Sequence, residues 1–403
     1  MKYTQEEVMQ YVEEEDVKFI RMAFCDVYGR ARNVAVMADE LPRAFSQGIA
    51  FDASAIPGFD GAVRSDLFLH PDASTLTELP WRPHTGRVAH MFCDITQPDG
   101  TPHAADTRRI LEEAAEYAGR RGYTFSFGAE MEFYLFRLDE AGNPTKEPYD
   151  HAGYMDVAPE DKGENVRREI CLTLEQMGIR PESSHHESGP GQNEIDFRYS
   201  DPLTAADHAI LLRSVVKTIA AQNGLFADFS PRPLPEHDGS GMHINLSAKK
   251  DGVGLPPTAL IPGLMERAAE MTAFLNPGEN SYARLGRDKA PAYVTWSAQN
   301  RSQLIRVPAA AEPFRRVEMR SPDSLANPYL AYALLIYASL EGIQRALPLP
   351  PPADFNTFLA DAQVLEAYGR LPASREEARR LAGRSGFIRE HLPAAVRDAY
   401  CGL

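Results

Sequence analysis

The chain reads as an α+β protein, and three observations point there. Strand-like and helix-like segments follow one another without the strict alternation of a parallel βαβ fold. The first hundred residues carry mainly extended patterns, whereas the remainder mixes long helices with strands. Charged side chains recur inside the strand-like stretches. With 403 residues, 43% of them apolar and 25% charged, the chain is long enough for two domains and a sizeable core.

The order of elements follows from local chemistry. "MKYTQEEVMQYVEEEDV" is amphipathic and acidic and predicts a short helix. It has neither the basic start nor the apolar centre of a signal peptide. "VKFIRMAFCDVYGRARNVAV" alternates around a Tyr-Gly turn and predicts a hairpin. "FDASAIPGFDGAVRSD", 51–66, has loop chemistry, and "GRVAHMFCDI" predicts a further strand. Pro and Asp-Gly in "TQPDGTPHAADT" break the pattern before a helix starting at Arg108, so the domain boundary falls near residue 103, giving domains 1–102 and 103–403. Helical spacing then marks "TRRILEEAAEYAGRRG", "NVRREICLTLEQMG", "AADHAILLRSVVKTIAAQNG" and "ANPYLAYALLIYASLEGIQRAL". Strands are expected at 124–138, 193–199, 242–248 and 315–320. "LPLPPPADF" connects to a helical tail.

Composition excludes several classes of function. A net charge of −15 argues against a general basic surface for nucleic acid. No apolar run approaches the roughly 18 residues that span a bilayer. Cys25, Cys93, Cys171 and Cys401 form no Cys-x-x-Cys pair, which fits a reduced cytoplasm. Neither a P-loop nor a Gly-x-Gly-x-x-Gly motif occurs.

The chemistry-bearing residues lie in strands. In "FGAEMEFYLF", Glu130 and Glu132 share one face by period-two geometry. Two such charges about 6 Å apart, at an effective dielectric of about 20, repel by about 3 kcal/mol. A solvated strand face would tolerate them, and so would a bound cation. "SSHHESGPGQNEIDFRY" places Glu187 and Glu194 on either side of a Gly-Pro-Gly turn. "DGSGMHINLS" aligns His243, Asn245 and Ser247; "RRVEMRSPD" aligns Arg316, Glu318 and Arg320. Each stretch alone has an ordinary explanation. Together they gather five carboxylates and one imidazole with few lysines, a donor set suited to Mg²⁺ or Mn²⁺. Arginines beside such ions suit phosphate and carboxylate. A metal-dependent enzyme acting on phosphate and carboxylate follows.

"AEMEFYLF", "SHHESGPGQNEIDFRY", "GSGMHINLS", "WSAQNRSQLIRVP" and "RRVEMRSPDSLANPYLAYALL" resemble, in order, the motifs of the glutamine synthetases, especially the shorter bacterial form. "KFIRMAFCDVYGRARNV" and "FDASAIPGF" extend the resemblance, which covers about residues 15–345. It implies a small β-grasp-like N-terminal domain, then a catalytic domain whose curved antiparallel sheet, flanked by helices, forms a funnel for two metals. By motif position, Glu132, Glu187 and Glu194 resemble the ligands of one ion, and Glu130, His243 and Glu318 those of the other. ATP, the co-substrate, is implied near Glu182, Tyr199, Asn245, Ser247, Arg306 and Arg316. Glutamate is implied near Asp238, Gly239, Arg284, Arg301 and Arg320. Arg301 and Arg306 would neutralise charge during phosphoryl transfer to glutamate. Asp52 would hold ammonium at a neighbouring subunit's site, so a homo-oligomer, usually a dodecamer, is implied.

The flap departs from the family pattern. "RLGRDKAP" stands where members typically read Arg-Leu-Val-Pro-Gly-Tyr-Glu-Ala-Pro, and Lys289 falls at the flap glutamate. Asp288 is the nearby carboxylate that could replace it if the shortened loop re-aims it. Asp238 stands where Asn is common, and Ala55 replaces a loop serine. Three readings follow: ligation of ammonia to glutamate, the same chemistry with another amine or acid, or a non-catalytic relative.

Overall fold

The computed structural model describes residues 3–59, 65–312 and 314–402. Six strands form the N-terminal sheet: β1 (Val17–Cys25), β2 (Ala31–Met37), β3 (Ile49–Asp52), β4 (Asp66–Pro71), β5 (Thr77–Glu78) and β6 (Arg87–Thr96). β1 and β2 are the expected antiparallel hairpin, in register from Phe19↔Met37 to Cys25↔Ala31. β6 then lies parallel to β1, giving the order β2-β1-β6-β4-β3, the crossover arrangement of a β-grasp. The segment expected to be a loop starts as strand β3, and its residues 60–64 lie outside the described residues.

The second sheet has ten strands: β7 (Tyr123–Leu138), β8 (Pro144–Pro148), β9 (Pro181–His186), β10 (Gln192–Phe197), β11 (Leu225–Asp228), β12 (Met242–Lys250), β13 (Val253–Gly254), β14 (Trp296–Ala298), β15 (Ile305–Val307) and β16 (Val317–Met319). Its main path runs β14-β15-β16-β12-β7-β10-β9. The pairs are antiparallel except β14 with β15, so an entirely antiparallel sheet is corrected at that edge. Helices Thr107–Gly119, Glu164–Gln176, Pro202–Gln222, Ile261–Leu275 and Pro328–Gln344 flank it.

Helix Pro328–Gln344 is apolar all round, and most of its side chains are buried, as such a composition requires. Proline at its first position has no N–H to leave unpaired. Asn327 caps it: Oδ1 accepts from the Tyr329 N–H at 3.0 Å, while Nδ2 donates to the Val27 carbonyl of the N-terminal domain at 3.0 Å. Arg108 ties the two halves together from the other side. Its guanidinium meets Asp72 at 2.8 Å, Asp94 at 3.1 Å and Asp207 at 3.2 Å. A buried charge of this kind is tolerable because its partners match it.

Candidate active site

β7 is the axis of the site. Glu132 faces Glu194 across the β7–β10 ladder, and Glu130 faces Asp196. On the other side Glu130 is in register with His243 of β12, and Asn245 of β12 with Glu318 of β16. Three chain crossings thus deliver side chains from distant sequence to one face. The result is a cavity of about 600 Å³, lined by Glu130, Glu132, Glu187, Glu194 and His243 together with Arg284, Arg301, Arg306, Arg316 and Arg320.

Close backbone approach permits this crowding. At Gly241 a Cβ would lie 2.6 Å from Arg284 Nη2 and 2.8 Å from His243 Nε2; at Gly239 it would lie 2.5 Å from the Pro231 carbonyl. Tyr134 donates to the Asp238 carbonyl at 2.5 Å and so fixes the loop between them.

Ligand-type atoms gather in neighbouring clusters, two of which include an imidazole and are bridged by a third of Glu130, Glu194 and Asp196. In the first, His243 Nδ1 lies 3.3 Å from Glu130 and 3.8 Å from Glu318, and these three residues offer donors within 4.8 Å of one another. Glu318 is fully buried and is held by Arg306 Nη1 at 2.6 Å and by Arg320 Nη1. Burial and the nearby Arg320 keep His243 far below the ordinary imidazole range, so its ring is neutral and able to act as a ligand. The second cluster joins Glu187 and Glu194 to His185, at 3.7 Å and 3.5 Å. Glu132, grouped with them on motif position, stands between the clusters. Its Oε2 accepts from the Gly241 N–H at 2.8 Å and Gln192 Nε2 at 3.2 Å, while Oε1 lies 3.9 Å from His243 Nε2.

Burial and mutual repulsion act most strongly on the second cluster. Glu194 is pushed well above the usual carboxylate range by burial, then by Asp196 and the three glutamates around it. Glu132 and Asp196 are each raised to about 7, first by burial and then by a neighbouring carboxylate. Such groups stay ionised at neutral pH only where an added cation compensates them. A set of hard oxygen donors with imidazole fits Mg²⁺ or Mn²⁺ better than a soft metal.

A second cleft of about 440 Å³ adjoins the first and shares Glu130, Ser183, Asp196 and Arg316 with it. Glu182, Tyr199, Asn245 and Ser247 line it. Arg316 Nε donates to Asn245 Oδ1 at 2.8 Å, and Asn245 Nδ2 donates to Glu130 Oε1 at 2.8 Å, linking the two spaces. Arg306, expected with this group, lines the first cavity. The buried Nε atoms of Arg306 and Arg320 have no partner among the described residues. Arg284 donates to the Ser321 carbonyl at 2.8 Å while lining the cavity, and Arg301 is exposed at the rim. Asp52 is exposed at the end of β3, away from this cavity, with its Oδ1 2.6 Å from Ser54 Oγ.

The flap is not re-aimed in the way its Asp288 allowed. Asp288 pairs with Arg232 at 2.8 Å, although it still lines the cavity. Lys289 reaches in instead: Nζ lies 2.6 Å from Ser188 Oγ, 3.4 Å from Glu187 and 4.9 Å from the Tyr154 ring centre. Sequence reasoning left out His185, Ser188, Gln192 and Asp196. Two of them carried a usable signal, because Asp196 follows Glu194 and His185 precedes Glu187 at the same-face spacing of two.

Comparison with known proteins agrees over both domains. Residues 16–98 match the glutamine synthetase β-grasp domain, and residues 104–403 match the glutamine synthetase catalytic domain. A glutamine synthetase of Methanosarcina mazei is 44% identical, over 98% of this chain and 92% of its own. One of Clostridium saccharobutylicum is 44% identical over 94% and 88%. Among solved structures, a GmaS/ADP complex superposes with a TM-score of 0.88 at 28% identity, over 98% of this chain and 94% of that one. Plasmodium falciparum glutamine synthetase, at 22% identity and a TM-score of 0.86 over 100% and 96%, shares the fold.

Proposed function

The chain belongs to the glutamine synthetase family, and from that premise we propose how it performs glutamate–ammonia ligation: through a γ-glutamyl phosphate, with ATP and two divalent ions, Mg²⁺ or Mn²⁺, in the carboxylate-lined cavity. The observation that carries this reading is the convergence of Glu130, Glu132, Glu187, Glu194 and His243 on one cavity, with Glu318 buried behind it. Glu130, His243 and Glu318 would hold one ion; Glu132, Glu187 and Glu194 the other. When bound, the ions supply positive charge against the phosphates and the glutamate carboxylate.

The chain's own residues do the rest. Asp238, Gly239, Arg284, Arg301 and Arg320 orient glutamate in the larger cavity. Glu182, Tyr199, Asn245, Ser247 and Arg316 receive the nucleotide in the adjoining cleft that they line. Arg306 and Arg301 stand where charge builds as the γ-carboxylate oxygen attacks the terminal phosphorus and ADP leaves. Ammonia then attacks the activated carbonyl, phosphate departs, and the amide forms. Asp52 lies outside its own cavity, which supports a role in a second copy's site, as ammonium holder and proton acceptor. A homo-oligomer follows, the dodecamer being the arrangement proposed. The domains divide at residues 102 and 103, and the reaction takes place in the cytoplasm. Among the described residues no helix is long and apolar enough to cross a membrane.

Lys289 favours a second reading. A cation 2.6 Å from Ser188 Oγ and 4.9 Å from the Tyr154 ring centre occupies the flap side of the cavity, and an acceptor amine other than ammonium would suit a remodelled flap. The test is direct. The purified protein is given ATP, Mg²⁺ or Mn²⁺ and glutamate, with ammonium or a panel of amines in turn, and the amide is identified by mass spectrometry. Glutamine formed with ammonium supports the first reading, and product only with an organic amine supports the second. Absence of metal-dependent phosphate release contradicts both.

A further inference from the structure

A third cavity lies on another side of the catalytic domain, where the β1–β2 turn meets helix Pro202–Gln222. It measures about 860 Å³ and is lined by Arg30, Arg32, Arg213, Lys217 and Arg375 against a single carboxylate, Glu279. Five cations around one space are unexpected in a chain with a net charge of −15. Two have partners: Arg32 meets the buried Asp26 at 3.0 Å, and Arg375 lies 3.8 Å from Glu279, whose side chain is 84% exposed. Arg30, Arg213 and Lys217 make no ion pair among the described residues within 4.0 Å.

Arg213 is the most exacting of the three. It is half-buried and gives two N–H groups to the carbonyls of Ser324 at 3.1 Å and Ala326 at 3.4 Å. Carbonyl dipoles stabilise it, but no carboxylate neutralises it. Burial lowers its basicity, and the same is true of Lys217, where Arg213 adds to the effect and Asp228 opposes it. Like charges gathered at one cavity wall repel each other, and an anion that joins them relieves that repulsion.

We propose that this cavity binds a small, multiply charged oxyanion, a polycarboxylate or a phosphorylated compound, and that its occupancy is felt at the substrate cavity. A guanidinium fork with ammonium and further arginines around it is the chemistry that recognises such oxyanions. Two short hydrogen-bonded routes lead from this pocket to the cavity of Glu132. The carbonyl of Ser324 accepts from Arg213, while its hydroxyl donates to the Glu132 carbonyl at 3.3 Å and the Gly241 carbonyl at 3.2 Å. Next to Glu279, Asn280 Nδ2 donates to the Arg232 carbonyl at 2.7 Å, and Arg232 holds Asp288 of the flap. An anion that draws on Arg213 and repels Glu279 therefore acts on both the strand that carries Glu132 and the flap.

Calorimetric titration of the metal-free full-length protein with tricarballylate and, separately, pyrophosphate tests the binding. Uptake of either supports the site, and the tighter probe identifies carboxylate or phosphate as its ligand class. The double variant Arg30→Glu, Lys217→Glu, at surface positions outside the catalytic machinery, should weaken that uptake at least about tenfold. Arg306→Ala should leave tricarballylate binding unchanged. Added salt should weaken it. Equal affinity in the double variant, or no uptake of either probe, overturns the proposal. So does a change in its oligomeric size, which would assign the cations to a subunit contact. The coupling rests on the ligase reading: at fixed free Mg²⁺, tricarballylate should shift the glutamate KM of the wild type and not of the double variant. An unshifted KM with binding intact overturns the coupling alone.

Discussion

The two carboxylate clusters of the substrate cavity are only one strand apart, yet they handle charge in opposite ways. Around Glu130, His243 and Glu318 the protein supplies its own counter-charge, since Arg306 and Arg320 clasp the buried Glu318. Around Glu187 and Glu194 the nearest lysine or arginine is Lys289, a half-exposed side chain 3.4 Å from Glu187. The first cluster is held together by the fold. The second is under repulsive load until an ion arrives, and burial first, then that repulsion, makes Glu194 resist ionisation.

The largest expected effect breaks the self-compensated side. Glu318→Ala strands Arg320, which is 1% exposed, with Arg306, and should cost about 3–5 kcal/mol of stability by denaturant unfolding. A loss under about 1 kcal/mol would mean the arginines are already solvated or satisfied elsewhere.

A pH series tests the loaded side. In metal-free protein, Glu132 and Asp196 are raised to about 7. Carboxyls raised on folding favour the native state most while protonated, below their ordinary values, and that contribution is lost as pH climbs through about 7. Stability in chelator should therefore fall between about pH 4 and about pH 7, and Mn²⁺ should restore it increasingly over the same range. Glu194→Gln should flatten the fall. Parallel curves with and without Mn²⁺ would contradict the account.

The smallest effect sharpens the contrast. Lys289 competes with a divalent ion for Glu187, so Lys289→Ala should tighten metal uptake. A half-exposed pair is worth at most about 1 kcal/mol, which corresponds to roughly fivefold. Weaker uptake in Lys289→Ala would show that the lysine helps to form the site.

Much of this contrast was legible in the sequence, because strand alternation alone puts Glu130 and Glu132 on one face and Arg316, Glu318 and Arg320 on another. The β1–β2 hairpin and the helix after Asn327 were equally plain, since turn residues and helical spacing act locally. What could not be read depends on register between distant strands. Arg306 reaches Glu318 because β15 pairs with β16, yet a three-residue strand leaves no periodic signal. Helix Ile261–Leu275 and the short strands β14 and β15 escaped for similar reasons: the helix begins at a proline after loop-like sequence, and the strands are too brief to alternate. The position of Asp288 could not be read either, because its pairing with Arg232 depends on a contact 56 residues away in sequence.

The most direct test counts ions. Calorimetric titration of chelator-treated protein with Mn²⁺ should give two sites per chain, with Glu187→Gln removing one and Glu318→Gln impairing the other. No uptake, or a single class of site indifferent to both substitutions, would contradict a pair of ions caged by these side chains.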